Sequence, residues 1–126
     1  MNLDLVLPVT RQKSVGVLAK RPIANAAWKP LNSQPGLYQG YAKTYTDRVA
    51  KMGLKIEELG FKGKPEEAWP EIALRFTLSI DGVHSAIIGT TRPENAQRNI
   101  QYAEKGPLPA EVVKKIRFAL DRKSVV

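Results

Sequence analysis

The chain contains no cysteine. That absence excludes disulfide staples and thiolate nucleophiles, and it fits a reducing compartment such as the cytoplasm. It has one histidine, His84, and with no cysteine to help there is too little for a structural zinc site, so no metal is expected. No apolar run reaches the roughly 18–20 residues that cross a bilayer. The opening MNLDLVLPVTRQK carries no basic segment ahead of its apolar residues, which argues against a secretory leader. Acidic residues are also in short supply, 12 against 20 Lys and Arg, for a net charge of +8. An excess of that size raises the question of nucleic acid. The basic residues are scattered, however, and form only doublets such as Lys20/Arg21, Lys114/Lys115 and Arg122/Lys123. Without a dense stripe or a recognition motif, a generally basic surface is expected ahead of a nucleic-acid footprint.

What is present suits a small globular domain or a piece of a larger one: 126 residues, 43% hydrophobic and 25% charged, too apolar for wholesale disorder. Residues 3–13 read as a short helix with Leu3, Leu5, Val6 and Val9 apolar and Pro8 interrupting it. The valine-rich run SVGVLAK (14–20) reads as a buried strand. A long loop follows to Gly40, punctuated by Pro22, Pro30 and Pro35-Gly36. Helical spacing returns in residues 41–52, with Tyr41, Tyr45, Val49 and Met52 on one side. Residues 65–79 give the clearest helix, opened by Pro65 and Glu66/Glu67; Pro70 must fall near its first turn or bend it. Asp81-Gly82 marks a turn, and VHSAIIG (83–89) a second buried strand. Residues 92–104 and 109–123 read as the last two helices.

Apolar strands alternating with helices predict parallel α/β pairing. Two strands make a poor sheet, because both outer edges stay unpaired. The expected fold class is therefore α/β, a partial barrel segment with two parallel strands and about four helices, forming one incomplete domain over residues 1–126. Such a segment is expected to self-associate or to join missing strands.

The stretch AIIGTTRPENAQRNI (86–100) carries the most chemistry. A strand delivers the chain to Gly89, where a missing side chain lets backbone approach a ligand. Thr90 and Thr91 add hydroxyls, and Arg92 adds a forked cation suited to phosphate. The helix from Pro93 directs free N–H groups and its dipole to the same place. Asn95 and Asn99, four apart, lie on one helix face and can read the donors and acceptors of a heterocycle. The same residues also make an ordinary capped helix, with Thr91 as N-cap, Pro93 near N1 and Glu94 in the first turn.

GVLAKRPIANAAW, together with ALRFTLSIDGVHSAIIGTTRPENAQRNI, resembles the C-terminal end of the aldo/keto reductase family. The resemblance spans nearly the whole chain. It implies a (β/α)8 TIM barrel whose seventh and eighth strands lie here, and in such barrels a phosphate site is built from the loops after those strands. It further implies that Gly89, Thr90, Thr91 and Arg92 hold the 2′-phosphate of NADP(H), and that Asn95 and Asn99 face adenine. Arg21, Pro22, Ile23, Ala24 and Asn25 resemble the segment along the pyrophosphate. There Arg21 departs from the family's small hydroxyl residue. The family's catalytic Asp, Tyr, Lys and His stand on earlier strands, and none of those positions matches a residue here.

His84 sits just before the second strand, away from the strand ends where barrel chemistry occurs, so a surface or packing role is expected. The tyrosines Tyr38, Tyr41, Tyr45 and Tyr102 read as loop or packing residues. Glu57/Glu58 and Glu66/Glu67 read as solvated helix ends, and Trp28 and Trp69 as core. The leading functional expectation is the C-terminal portion of an NADP(H)-dependent oxidoreductase, carrying part of the cofactor site without catalytic residues. A standalone nucleotide- or anion-binding module is the alternative, and a basic nucleic-acid binder a more distant one.

Overall fold

A computed structural model describes residues 3–33 and 36–121. Its elements run α1 (Leu3–Gln12), β1 (Leu18–Lys20), α2 (Gly36–Met52), α3 (Pro65–Leu78), β2 (Ser85–Ile87), α4 (Pro93–Glu104) and α5 (Ala110–Asp121), with short 3-10 turns at Ala24–Ala26, Leu31–Ser33 and Ile56–Leu59. Among the described residues there are thus five α-helices rather than about four. None is long and apolar enough to cross a membrane. The stretch read as one long loop is largely folded. It holds two 3-10 turns, and α2 begins at Gly36, five residues before the apolar spacing becomes visible at Tyr41.

The chain forms two compact units. One joins the residues up to Pro22 with Glu71–Leu108; the other joins Ile23–Pro70 with the segment from Pro109. The boundary within α3 falls at Pro70, the sixth residue of the helix, where the missing N–H removes one i→i−4 bond. Pro70 therefore lies beyond the first turn, where proline is best tolerated.

In the first unit, Leu7, Ile72, Leu74, Ile80 and Leu108 are buried, and each contributes on the order of 1.5–3 kcal/mol from apolar area removed from water. Helix α1 turns Leu7 inward, while Leu5, Val6 and Val9 face out. The reason is a close approach. Gly82 has φ +92, and a Cβ built there would meet Leu7 at 3.6 Å and the Arg11 Nε at 3.2 Å. Arg11 also bridges to the Asp81 carboxylate at 2.5 Å, so α1 rests on the turn that leads into β2.

Strands β1 and β2 pair in parallel, as the alternation of elements predicts, with Leu18 opposite Ser85, Ala19 opposite Ala86 and Lys20 opposite Ile87. The expectation of buried strands is corrected. Only three residues of each run enter the ladder, and the face carrying Leu18, Lys20, Ser85 and Ile87 is exposed, Leu18 at 64% and Ile87 at 55%. Ala19 and Ala86 are half-buried on the other face. A parallel strand is normally covered on both faces; here one face is covered.

The second unit has its own core of Ala27, Ala42, Ile56, Leu59, Ala68 and Ile116. Gly60, at φ +80, ends the Ile56–Leu59 turn in the left-handed conformation that glycine adopts without strain. From α5, Lys115 Nζ donates to the Glu58 carbonyl at 3.0 Å.

Candidate functional site

Parallel pairing brings the C-terminal ends of β1 and β2 out at one edge of the sheet. Lys20 and Ile87 are partners, so Arg21 and the Ile88-Gly89 segment leave at the same level. Loops from neighbouring parallel strands that emerge together are where α/β folds bind ligands.

After β2, Gly89 is exposed, has no positive φ, and a Cβ built on it would touch nothing within 4 Å. Neither backbone conformation nor internal packing asks for glycine here. Thr90 is turned into its own loop, its Oγ1 accepting the Arg92 N–H at 3.2 Å. The ordinary-cap reading is corrected: the N-cap of α4 is Arg92, in extended geometry (φ −116, ψ 119), not Thr91. Arginine has no acceptor to offer the helix, and no side chain caps it. Pro93 stands at the first helical position, where its missing N–H costs nothing.

The corner is therefore an uncapped helix start with an exposed guanidinium on its threshold. Arg92 makes no side-chain hydrogen bond or ion pair among the described residues. Thr91 is exposed beside it. Further along α4, Asn95 and Asn99 are half-buried on one face. A cleft of about 410 Å³ runs between β2, the second half of α3 and α4, with Leu74, Leu78, Ile88 and Ile100 in its walls and the Asn99 amide as a polar group. Thr90 and His84 also line this cleft.

The exit of β1 is tightly turned. Arg21 (φ 58), Ala24 (φ 47) and Ala26 (φ 55) all occupy the left-handed region, at a cost of about 1–2 kcal/mol each. Arg21 is exposed and Pro22 is buried. Ile23 is half-buried at the start of the Ala24–Ala26 turn, which contains Asn25. Of the expected cofactor residues, Arg21, Gly89, Thr90, Thr91, Arg92, Asn95 and Asn99 belong to the first unit, whereas Ile23 and Asn25 belong to the second.

Two arrangements escaped the sequence reading. At the far end of α4, Glu71 is buried between two cations: Arg75 Nη1 reaches Oε1 at 2.7 Å and Lys105 Nζ reaches Oε2 at 2.8 Å. Arg75 also donates to the carbonyls of Gly106 (2.9 Å) and Pro107 (3.1 Å). Burial pushes the Glu71 carboxyl upward, but the hydrogen bonds and charges of Lys105 and Arg75 prevail and hold it below the usual glutamate value. The i,i+4 spacing of Glu71 and Arg75 was a visible signal for half of this clasp; Lys105 lies 34 residues from Glu71 and gave none. The second is His84, whose imidazole Nδ1 accepts the Val17 N–H at 3.1 Å while the His84 backbone N–H donates to the Val17 carbonyl at 3.0 Å.

Other candidates stay structural. Glu66 and Glu67 are exposed in the first turn of α3, and the Glu58 carboxylate accepts the Lys55 N–H at 2.8 Å. Tyr102 is half-buried, with the Lys105 ammonium 5.5 Å from its ring centre. Trp28 is half-buried, its Nε1 lacking an acceptor among the described residues. The side chains of Tyr38 and Tyr41 lie outside the described set.

The Aldo/keto reductase family profile matches residues 5–121 of the 126. No curated protein and no solved structure matches the chain. The family implies a TIM barrel, and a parallel strand pair in a helix-rich α/β chain is consistent with part of one. With a match that runs from within α1 to the last residue of α5 and takes in both strand exits, the chain belongs to the aldo/keto reductase family, a family of oxidoreductases.

Proposed function

We propose that the corner between β2 and α4 binds the adenosine 2′-phosphate of NADP(H), and that the chain contributes this part of the cofactor site to a carbonyl-reducing oxidoreductase. One observation carries the reading: an uncapped helix start faces solvent with the Arg92 guanidinium, unpaired among the described residues, on it and an open approach at Gly89. Each part suits a phosphate. The first N–H groups of α4 and its dipole attract negative charge. Arg92 offers a planar fork of donors. Thr91 adds a hydroxyl, while the Thr90 hydroxyl keeps the loop folded. Asn95 and Asn99 present amides that no neighbour among the described residues occupies, on the helix face along which adenine would lie. At the exit of β1, Arg21 stands level with this corner and would meet the pyrophosphate.

When bound, the nicotinamide supplies hydride; these residues bind and orient its distant adenosine end. The proton donor and its tuning groups belong to positions that this chain does not match, so the 126 residues alone turn over no carbonyl at enzyme-like rates. The exposed face of β1 and β2, with Leu18 and Ile87 outward, favours further barrel strands or another copy completing the sheet.

Thermal denaturation with increasing NADPH tests this reading. A saturable rise in Tm that NADH reproduces only weakly is expected, because NADH lacks the 2′-phosphate. Arg92→Ala should remove most of the difference between the two. No saturable shift with NADPH, or equal shifts for both nucleotides in the unaltered protein, would defeat the assignment.

A further inference from the structure

The bond between His84 and Val17 is more than a surface contact. In a parallel ladder, the N–H groups of one strand alternate between carbonyls two residues apart on its neighbour. With Leu18 opposite Ser85, the ladder sends the Ser85 N–H to the Val17 carbonyl, and that bond is present at 3.3 Å. One step back, the same pattern would send the Val17 N–H to the carbonyl of Val83. It goes instead to Nδ1 of His84.

The cause lies in the turn. Gly82 is at φ +92 and the Val83 N–H is still bonded to the Ile80 carbonyl at 3.1 Å, so the chain has not yet reached strand geometry at Val83. The imidazole takes the place of the carbonyl that the turn withholds. His84 then holds both peptide groups of Val17, the N–H through its ring Nδ1 and the C=O through its backbone N–H. Because Nδ1 accepts, the proton of the neutral ring belongs on Nε2.

We infer that His84 is a positioning residue, which pins the entry of β1 and so sets the two strand exits level with each other. The ladder is three residues long, too short to define its register firmly by itself. A slip of two residues would keep every side chain on its face, yet it would move Arg21 by about 6.6 Å against Gly89. The clamp at Val17 opposes that slip from the end of the strands remote from the loops. The turn carrying His84 is itself held by the Arg11–Asp81 pair from α1. The functional consequence rests on the proposed NADP(H) corner; the clamp itself does not.

Three measurements test it. In protein labelled with ¹⁵N-histidine, long-range ¹H–¹⁵N correlation should show the Nε2–H tautomer. Amide exchange at Val17 should be slow in the unaltered protein and about five- to tenfold faster in His84→Leu, as the loss of one hydrogen bond allows. His84→Asn should restore the protection, because Asn Oδ1 sits at nearly the same distance from the backbone as Nδ1. NADPH affinity should fall several-fold in the Leu variant and recover in the Asn variant. A proton on Nδ1, or Val17 exchange that is the same in the Leu and Asn variants, would overturn the inference. If NADPH fails to bind the unaltered protein, the corner assignment falls while Val17 exchange still decides the clamp. Should the Leu variant not fold, the tautomer and the Asn variant remain decisive.

Discussion

Two arginines stand near opposite ends of α4, and they are used in opposite ways. Arg75 is 15% exposed and gives its donors to Glu71, Gly106 and Pro107. Arg92 is exposed on the first threshold of the helix and bonds through its guanidinium to nothing among the described residues. The first is a fastener, with its charge neutralised and its geometry complete. The second is a fixed cation left open to solvent, next to helix N–H groups that no side chain caps. Saturated polar groups hold a fold together; unsatisfied ones at an accessible corner are available to a ligand. On that distinction the C-terminal end of α4 belongs to stability, and the N-terminal end is where the proposed binding site lies.

The largest effect should come from breaking the fastener. Glu71→Gln leaves Arg75 as a nearly buried charge without its counter-ion, and should lower stability by about 3 kcal/mol in urea denaturation. NADPH affinity per folded molecule should change little, since the proposed phosphate corner is untouched. A variant that folds normally but loses NADPH would reverse the two roles.

The same carboxylate sets a dependence on pH. Its folded-state pKa lies below the unfolded value, so the unfolded chain binds more protons through that window. Its contribution is fully present above the unfolded pKa, about 4.5, and is lost as pH falls through the folded value. Stability measured between neutral pH and roughly pH 3 should therefore fall less steeply in Glu71→Gln than in the unaltered protein. Parallel curves would remove Glu71 from the account.

At the other end, Arg92→Ala should leave stability within about 0.5 kcal/mol and weaken NADPH binding by roughly tenfold or more, the loss of a charge-assisted contact. Calorimetric titration gives the affinity and urea denaturation the control. The smallest effect on the fold belongs to Gly89→Ala. Its φ is ordinary and its Cβ would enter open space, so stability should stay level or rise by up to about 0.5–1 kcal/mol. NADPH affinity should nevertheless fall, because the new methyl group occupies the approach. Unchanged affinity would mean that no ligand comes close to Gly89.

Much of the architecture is legible in the order of the residues. The helices from residues 65 and 92 could be read from proline and glutamate at their starts, and the parallel pairing from the order of elements. The family could be read from motifs around both strand exits. The misses have physical causes. Val15, Val17 and Leu18 look like a buried strand because hydrophobicity records what could be buried; the cover itself comes from other parts of a fold. Leu7, rather than Leu5, Val6 or Val9, became the buried residue of α1 because a close approach at Gly82 selects it. Thr91 looked like the cap of α4 by residue preference, but the Thr90 hydroxyl bonds the Arg92 N–H and shifts the helix start by one residue.

By itself the sequence determined the spacing of chemistry along the chain: glycine, two threonines and arginine between a strand and a helix, then two asparagines one turn apart. These are local facts, written in residue order and backbone preference. Tertiary structure alone decided which of those groups are open. It gave Arg75 to Glu71, with Lys105 brought from 34 residues away, and it left Arg92 unpaired among the described residues. It also turned a lone histidine into the acceptor for Val17, 67 residues earlier. Hydrogen bonds and ion pairs depend on distances of about 3 Å between groups far apart in sequence, and only the folded chain sets those distances.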